Sequence, residues 1–124
     1  MTTEDPCVVH FLRYLESERN ASDHTRSNYL LDIMQFVRFT WGVDAALPFR
    51  WRDADSFMAR KFIIEFQKTG CEPSTTGRKL SSLRSFYKFL VREDYVTQNP
   101  FGGLRAPKKS RKLPEFLSVG ETTR

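Results

Sequence analysis

Long apolar runs are missing from this sequence. The most continuous stretches, such as Phe62-Ile63-Ile64, fall far short of the roughly 20 residues a membrane-spanning helix needs. Cysteine is scarce: Cys7 and Cys71 lie far apart, without metal-ligand spacing. Two free thiols in a reducing compartment is the plainer reading, a disulfide the other. Glycine and proline, six each, are scattered rather than clustered, and 40% of the chain is hydrophobic, which excludes collagen-like, mucin-like and disordered classes. The first twelve residues place Glu4 and Asp5 where a signal peptide would place bases. No Gly-rich phosphate loop, paired His/Cys ligand spacing or nucleophile elbow is present. What remains is a 124-residue chain, room for one domain that buries roughly two-thirds of its unfolded surface. The expectation is a soluble cytoplasmic domain with no membrane partner, cofactor or metal.

What the chain does have is unevenly placed positive charge. Residues 1–70 hold nine basic and ten acidic side chains; residues 71–124 hold eleven basic and five acidic, and the whole carries +5. A near-neutral half joined to a strongly basic one points to a polyanion partner, most often nucleic acid. Strand alternation is absent, while helical periodicity recurs four times. Asp5-Pro6 reads as a cap and first helical position, followed by the stripe Val8, Val9, Phe11, Leu12 and Leu15. Ser22 caps a second run through Tyr29, Leu30, Ile33, Met34, Phe36, Val37 and Trp41, stopped by Gly42. Residues 43–52 read as a loop. Asp53 or Asp55 starts a third helix with Phe57, Phe62, Ile63 and Phe66, ending at Gly70. Pro73-Ser74-Thr75 opens a fourth that runs to about Glu93, and Asn99-Pro100 starts one short turn of helix before Gly102-Gly103. The fold expected is all-α: a compact bundle of four main helices plus a short fifth.

On the fourth helix Leu80, Leu83, Phe86, Tyr87, Leu90 and Val91 fall within an arc of about 140°, the core face. Opposite lie Arg78, Ser81, Arg84, Ser85, Lys88 and Arg92, with no acid before Glu93. A solvated face usually mixes signs, because i,i+4 acid–base pairs stabilise a helix and like charges oppose it. An uncompensated stripe suits a phosphate backbone. Lys79 falls on the apolar side and is expected to snorkel. Ser74, Thr75 and Thr76 at the helix start either bind phosphate at the positive dipole end or simply cap. The second helix offers His24, Ser27, Asn28, Gln35 and Arg38, short polar groups that suit base edges, phosphates or plain solvent.

These residues also match a known pattern. Ser22-Asp23-His24-Thr25 with Tyr29 and Asp32 resembles the "S-x-N-T-x-x-x-Y-x-x-D-L" helix start of tyrosine site-specific recombinases, the phage integrase and Xer type. Ser74 to Leu90 resembles that family's "R-x-L-S-A-L-R-x-F-Y-x-x-L" helix. Asn99-Pro100, Leu104, Pro107-Lys108, Leu113-Pro114, Leu117-Ser118 and Glu121 resemble its exit. The likeness covers roughly residues 5–121 in order. It implies the N-terminal core-binding domain, a SAM-like bundle that clamps one side of double-stranded DNA while a C-terminal catalytic domain clamps the other. Carried over by position, the DNA contacts would be His24, Thr25, Ser27 and Asn28 on the second helix. On the fourth they would be Ser74, Thr75, Arg78, Ser81, Arg84 and Lys88. A basic linker with Lys108, Lys109, Arg111 and Lys112 would follow the duplex. His24 stands where the family usually has Asn, and Leu31 where a base is common, so contacts near the second helix are expected to differ or weaken.

The implied organisation is a helical DNA-binding domain over 1–104, a basic linker over 105–116, and the start of a catalytic domain over 117–124. The family's nucleophilic Tyr, its Arg pair and its Lys would belong to that later domain. His10, Arg13 and Tyr14 mimic an H-x-x-R motif with a Tyr, but lie on an amphipathic helix without the remaining groups, so no catalysis is expected from this chain alone. Protomers of one recombinase on DNA are further expected partners. The competing reading is a helical protein-interaction module for protomer assembly, with exposed Phe or Tyr of the first helix serving a neighbour.

Overall fold

The computed structural model describes residues 5–105, in which four α-helices and one 3-10 turn follow each other without a strand. The helices are α1 (Pro6–Ser17), α2 (Asp23–Trp41), α3 (Ser56–Lys68) and α4 (Pro73–Arg92). Side-chain oxygens satisfy the free amides at three of the four starts. Asp5 accepts from the Val8 amide at 3.1 Å, Ser22 from Thr25 at 3.1 Å, and Asp55 from Met58 at 2.9 Å. Each such cap contributes about 1 kcal/mol. At the far end of α2, Gly42 takes φ +94°, a conformation an L side chain rarely adopts, and its amide donates to Arg38 O.

α4 is the central element, packing against α1, α2 and α3. Its buried face is that expected from periodicity, with Leu80, Leu83, Phe86, Tyr87 and Leu90 all fully buried. Two departures widen it. Phe89 is buried because α1 covers that flank, its ring packing edge-on to His10 and tilted against Phe11 and Tyr14. Val91 is only half-buried. Around this helix Phe11 and Trp51 meet Phe86, and Phe36 meets Phe62 and Phe101, all edge to face with centroids 4.8–5.2 Å apart. Burying each ring contributes about 1.5–3 kcal/mol.

Three expectations need correction. The 43–52 segment is more than a loop: it ends in a 3-10 turn, Trp51–Asp53, that delivers Trp51 into the core. The fully buried Asp5 holds it there, accepting from the Trp51 indole at 2.9 Å and from the Phe49 amide at 2.9 Å. Tyr87 completes the lock by donating its hydroxyl to Trp51 O at 2.9 Å. Where Asn99-Pro100 was expected to start a short helix, the chain makes hydrogen-bonded turns, Gly102 donating to Asn99 O and Leu104 to Phe101 O. Phe57, assigned to the apolar stripe of α3, is 63% exposed, because no element covers that end of the helix. Both cysteines among the described residues are free thiols.

Candidate nucleic-acid interface

α2 and α4 lie side by side and run antiparallel. Asp32 on α2 meets Arg78 and Lys79 on α4, while Tyr29, one turn earlier, shares a cleft with Ser85 and Lys88. This packing brings the polar residues of both helices to one seam. Along α4, Ser74, Arg78, Ser81, Ser85 and Lys88 are exposed and Thr75 is half-buried; along α2, His24, Thr25 and Ser27 are exposed and Asn28 is half-buried. All 20 residues of α4 include five bases and no acid.

The bases are not equivalent. Asp32 is fully buried, and a carboxylate removed from water demands compensation. It receives Arg78 at 2.7 Å and Lys79 at 3.0 Å. Lys79 therefore does not snorkel: it is buried, also donates to Gln35, and lies 5.1 Å from the Phe66 ring centroid. Gln35, read as part of the outward face of α2, is turned to that ammonium instead. Arg78 keeps 45% of its side chain exposed, so the three-charge node presents a net +1 at the surface.

Arg84 is spent differently. Its Nε donates to Phe101 O at 3.3 Å and its terminal nitrogen to Leu104 O, while Asn99 donates to the Arg84 carbonyl at 3.1 Å. The guanidinium thus clasps the turns after α4, and only partly faces solvent. Lys88 stays exposed, with no ion pair among the described residues.

At the start of α4 the N-cap is Glu72, with no side-chain cap bond. The capping role considered for Ser74, Thr75 and Thr76 is not used. Thr76 is fully buried, its hydroxyl without a partner, so it cannot reach a ligand. Ser74 and Thr75 remain beside the free amides, next to the Glu72 carboxylate. Lys108, Lys109, Arg111 and Lys112 lie outside the described residues, as do the 106–116 part of the linker and the 117–124 segment.

Sequence reading did not single out Arg19 and kept Arg92 only as part of a stripe. With Lys88 they surround a cleft of about 300 Å³ between α1, α2 and α4, floored by Phe11, Tyr14 and Phe89. The Arg92 guanidinium sits 4.6 Å from the Tyr14 ring centroid. Arg19 beside Tyr14, helped by Arg92, holds that phenol below its ordinary range. No spacing rule links residue 19 to residue 88, because the pairing exists only once α1 packs on α4. His10, the first member of the H-x-x-R mimic, shares a 2.8 Å hydrogen bond with the Tyr95 hydroxyl. Among the described residues no group of His, Cys, Asp and Glu is arranged to hold a metal ion, and no helix is long and apolar enough to cross a membrane.

Comparison with known proteins agrees with this geometry. Residues 8–94 match the family model described as the phage integrase N-terminal SAM-like domain. The chain is 40% identical over 114 residues to a tyrosine recombinase XerC of Natranaerobius thermophilus, covering 92% of this chain and 38% of the relative. It is 41% identical over 113 residues to a XerC of Halalkalibacterium halodurans, covering 91% of this chain and 36% of that protein. A tyrosine recombinase XerD of Chlorobaculum tepidum is 38% identical over 111 residues, 90% of this chain and 35% of the relative. No solved structure matches. The chain belongs to the phage integrase N-terminal SAM-like domain family, and it spans under two-fifths of the length of these relatives.

Proposed function

We propose that this domain binds double-stranded DNA along the α2–α4 seam, as the core-binding part of a tyrosine recombinase acting in site-specific recombination. One observation carries the reading: α4 exposes Arg78, Ser81, Ser85 and Lys88 with no acid along its length, beside the exposed His24, Thr25 and Ser27 of α2. Bases and small hydroxyl side chains at that spacing follow a phosphodiester backbone, and the small serines allow close approach. Within this reading Ser74, Thr75 and Asn28 are flanking contacts, and Lys108, Lys109, Arg111 and Lys112 extend the contact along the duplex. Arg84 contributes mainly by fixing the exit of the chain. Strand cleavage is assigned to the part of a longer recombinase that this chain does not span. The matching domain of the same protein and other protomers are the protein partners.

Fluorescence anisotropy with a labelled duplex between 50 and 200 mM salt tests this. Affinity falls with a log–log slope of about −0.9 per neutralised phosphate if the reading holds; an affinity flat over that range overturns it.

A second reading, protomer assembly, is favoured by a different surface from the one expected. Phe11 of α1 is buried and Tyr14 is half-buried, but Phe39, Phe57 and Ile64 are exposed along an open groove between α2 and α3. Light scattering with and without duplex separates the readings, since DNA-independent oligomers support assembly.

A further inference from the structure

The cleft at the far end of the α2–α4 seam shares Ser85 and Lys88 with that seam and extends it to Arg19 and Arg92. Three cations from one helix and a connection border it: Lys88 and Arg92 on α4, and Arg19 just past the end of α1. No carboxylate lines it. Like charges converge on one cleft only at a cost in repulsion, unless an anion enters it. Glu93 takes the Nε of Arg92 at 3.0 Å, and the guanidinium also bonds the Tyr14 side chain. The same guanidinium stacks on Tyr14 and Phe89, at 4.6 and 5.4 Å from their centroids, which fixes its plane. Hydroxyl groups of Ser85 and Tyr29 lie on the same lining. Charge, a held guanidinium plane and hydroxyl donors together form a receptor for a tetrahedral oxyanion.

We propose that the Arg19–Lys88–Arg92 cleft seats a single backbone phosphate of the duplex, so that the interface reaches from the α2–α4 seam to the end of α1. The inference rests on the DNA-binding reading and deepens it. Continuity supports the backbone as the source of the phosphate, because Ser85, Lys88 and Arg92 are at once exposed residues of the α4 stripe and part of the lining. A phosphate in this cleft adds one contact, independent of base sequence, at the edge of the footprint.

The test compares the full chain with Arg19→Gln, with Arg19→Gln/Arg92→Gln, and with the charge-matched control Arg60→Gln/Lys68→Gln on exposed positions of α3. Each is titrated with the same duplex across a salt series, and folding is checked by thermal melting. Expected is a slope reduced by about 0.9 in the double variant, and reduced in the same direction by Arg19→Gln alone, with the α3 control at the wild-type slope. Arg19 is exposed, so its single variant keeps the test valid should loss of the Arg92 stack disturb folding. A steep wild-type slope left unchanged by both Arg19 variants overturns the cleft while the DNA-binding reading stands. A flat wild-type slope overturns both. Inorganic phosphate followed by tyrosine fluorescence is the second arm. Saturable binding of free phosphate that the Arg19 variants abolish, with their duplex slopes unchanged, reassigns the cleft to a small anion and overturns the backbone proposal.

Discussion

In the first half of α4, Arg78 and Lys79 converge on the buried carboxylate of Asp32, whereas in the second half Lys88 and Arg92 face Arg19 across an open cleft. Lys79 apart, both halves read in the sequence as one basic stripe. The first uses its charge inward, to hold two helices in register, and shows the surface only the surplus. The second leaves Lys88 accessible and pairs Arg92 only at the surface, with Glu93 and the Tyr14 and Phe89 rings. Between them Arg84 serves neither purpose, since it is given to backbone carbonyls. Charge density along a helix therefore overstates what a polyanion can reach.

The sharpest way to break the comparison is Asp32→Asn. It leaves Lys79 buried without a counter-charge, and losing one member of such a pair costs about 3–5 kcal/mol. Lys88→Ala, in contrast, is expected to stay within about 0.5 kcal/mol of wild type, as exposed substitutions do. Urea denaturation of both variants checks the pair, and similar losses would erase the distinction between the halves. A middle-sized effect is expected for Arg84→Ala, about 1–3 kcal/mol, because the carbonyls of Phe101 and Leu104 lose a charged donor. Hydrogen exchange at the Leu104 amide should quicken in step; unchanged exchange would mean the turns hold without the clasp.

A smaller loss than those of Asp32→Asn and Arg84→Ala lies on the inner side of the same helix. Burial pushes the Tyr87 phenol well above its ordinary value. A group whose folded-state value is raised stabilises the fold fully below its unfolded value, and that contribution is lost as pH rises beyond about 10. Stability should therefore fall on the alkaline side, and Tyr87→Phe should flatten that fall while costing about 1 kcal/mol at pH 7 through the lost bond to Trp51 O. A wild-type curve that stays level up to pH 11.5 would refute it.

Much of the fold was legible because local rules dominate it. Asp5, Ser22 and Asp55 are the caps that their positions announce, and the core face of α4 follows from its period. Failures cluster where a partner distant in the chain decides. Lys79 sits on an apolar face because residue 32 supplies its anion, 47 positions earlier. Trp51 is core because Asp5 and Tyr87 hold it, although its arginine neighbours read as loop. The clasp of Arg84 was invisible for the same reason, since the turns it holds lie 17 and 20 residues further on. Of the candidate site, the exposed members of α2 and α4 could be named from periodicity and likeness. Arg19 could not, since nothing local distinguishes it from any other basic residue at a helix end.

The clasp also has a mechanical side. Phe101 and Leu104 are tethered near the middle of α4 rather than at its C-terminal tip. Tension arriving through Leu104 is thus delivered sideways to a stiff rod embedded among three other helices, where it acts as a torque instead of fraying a terminus. A pull on the chain at Leu104 would reach the middle of α4 through the Arg84 guanidinium, the Asn99 bond to the Arg84 carbonyl and the buried Phe101 ring.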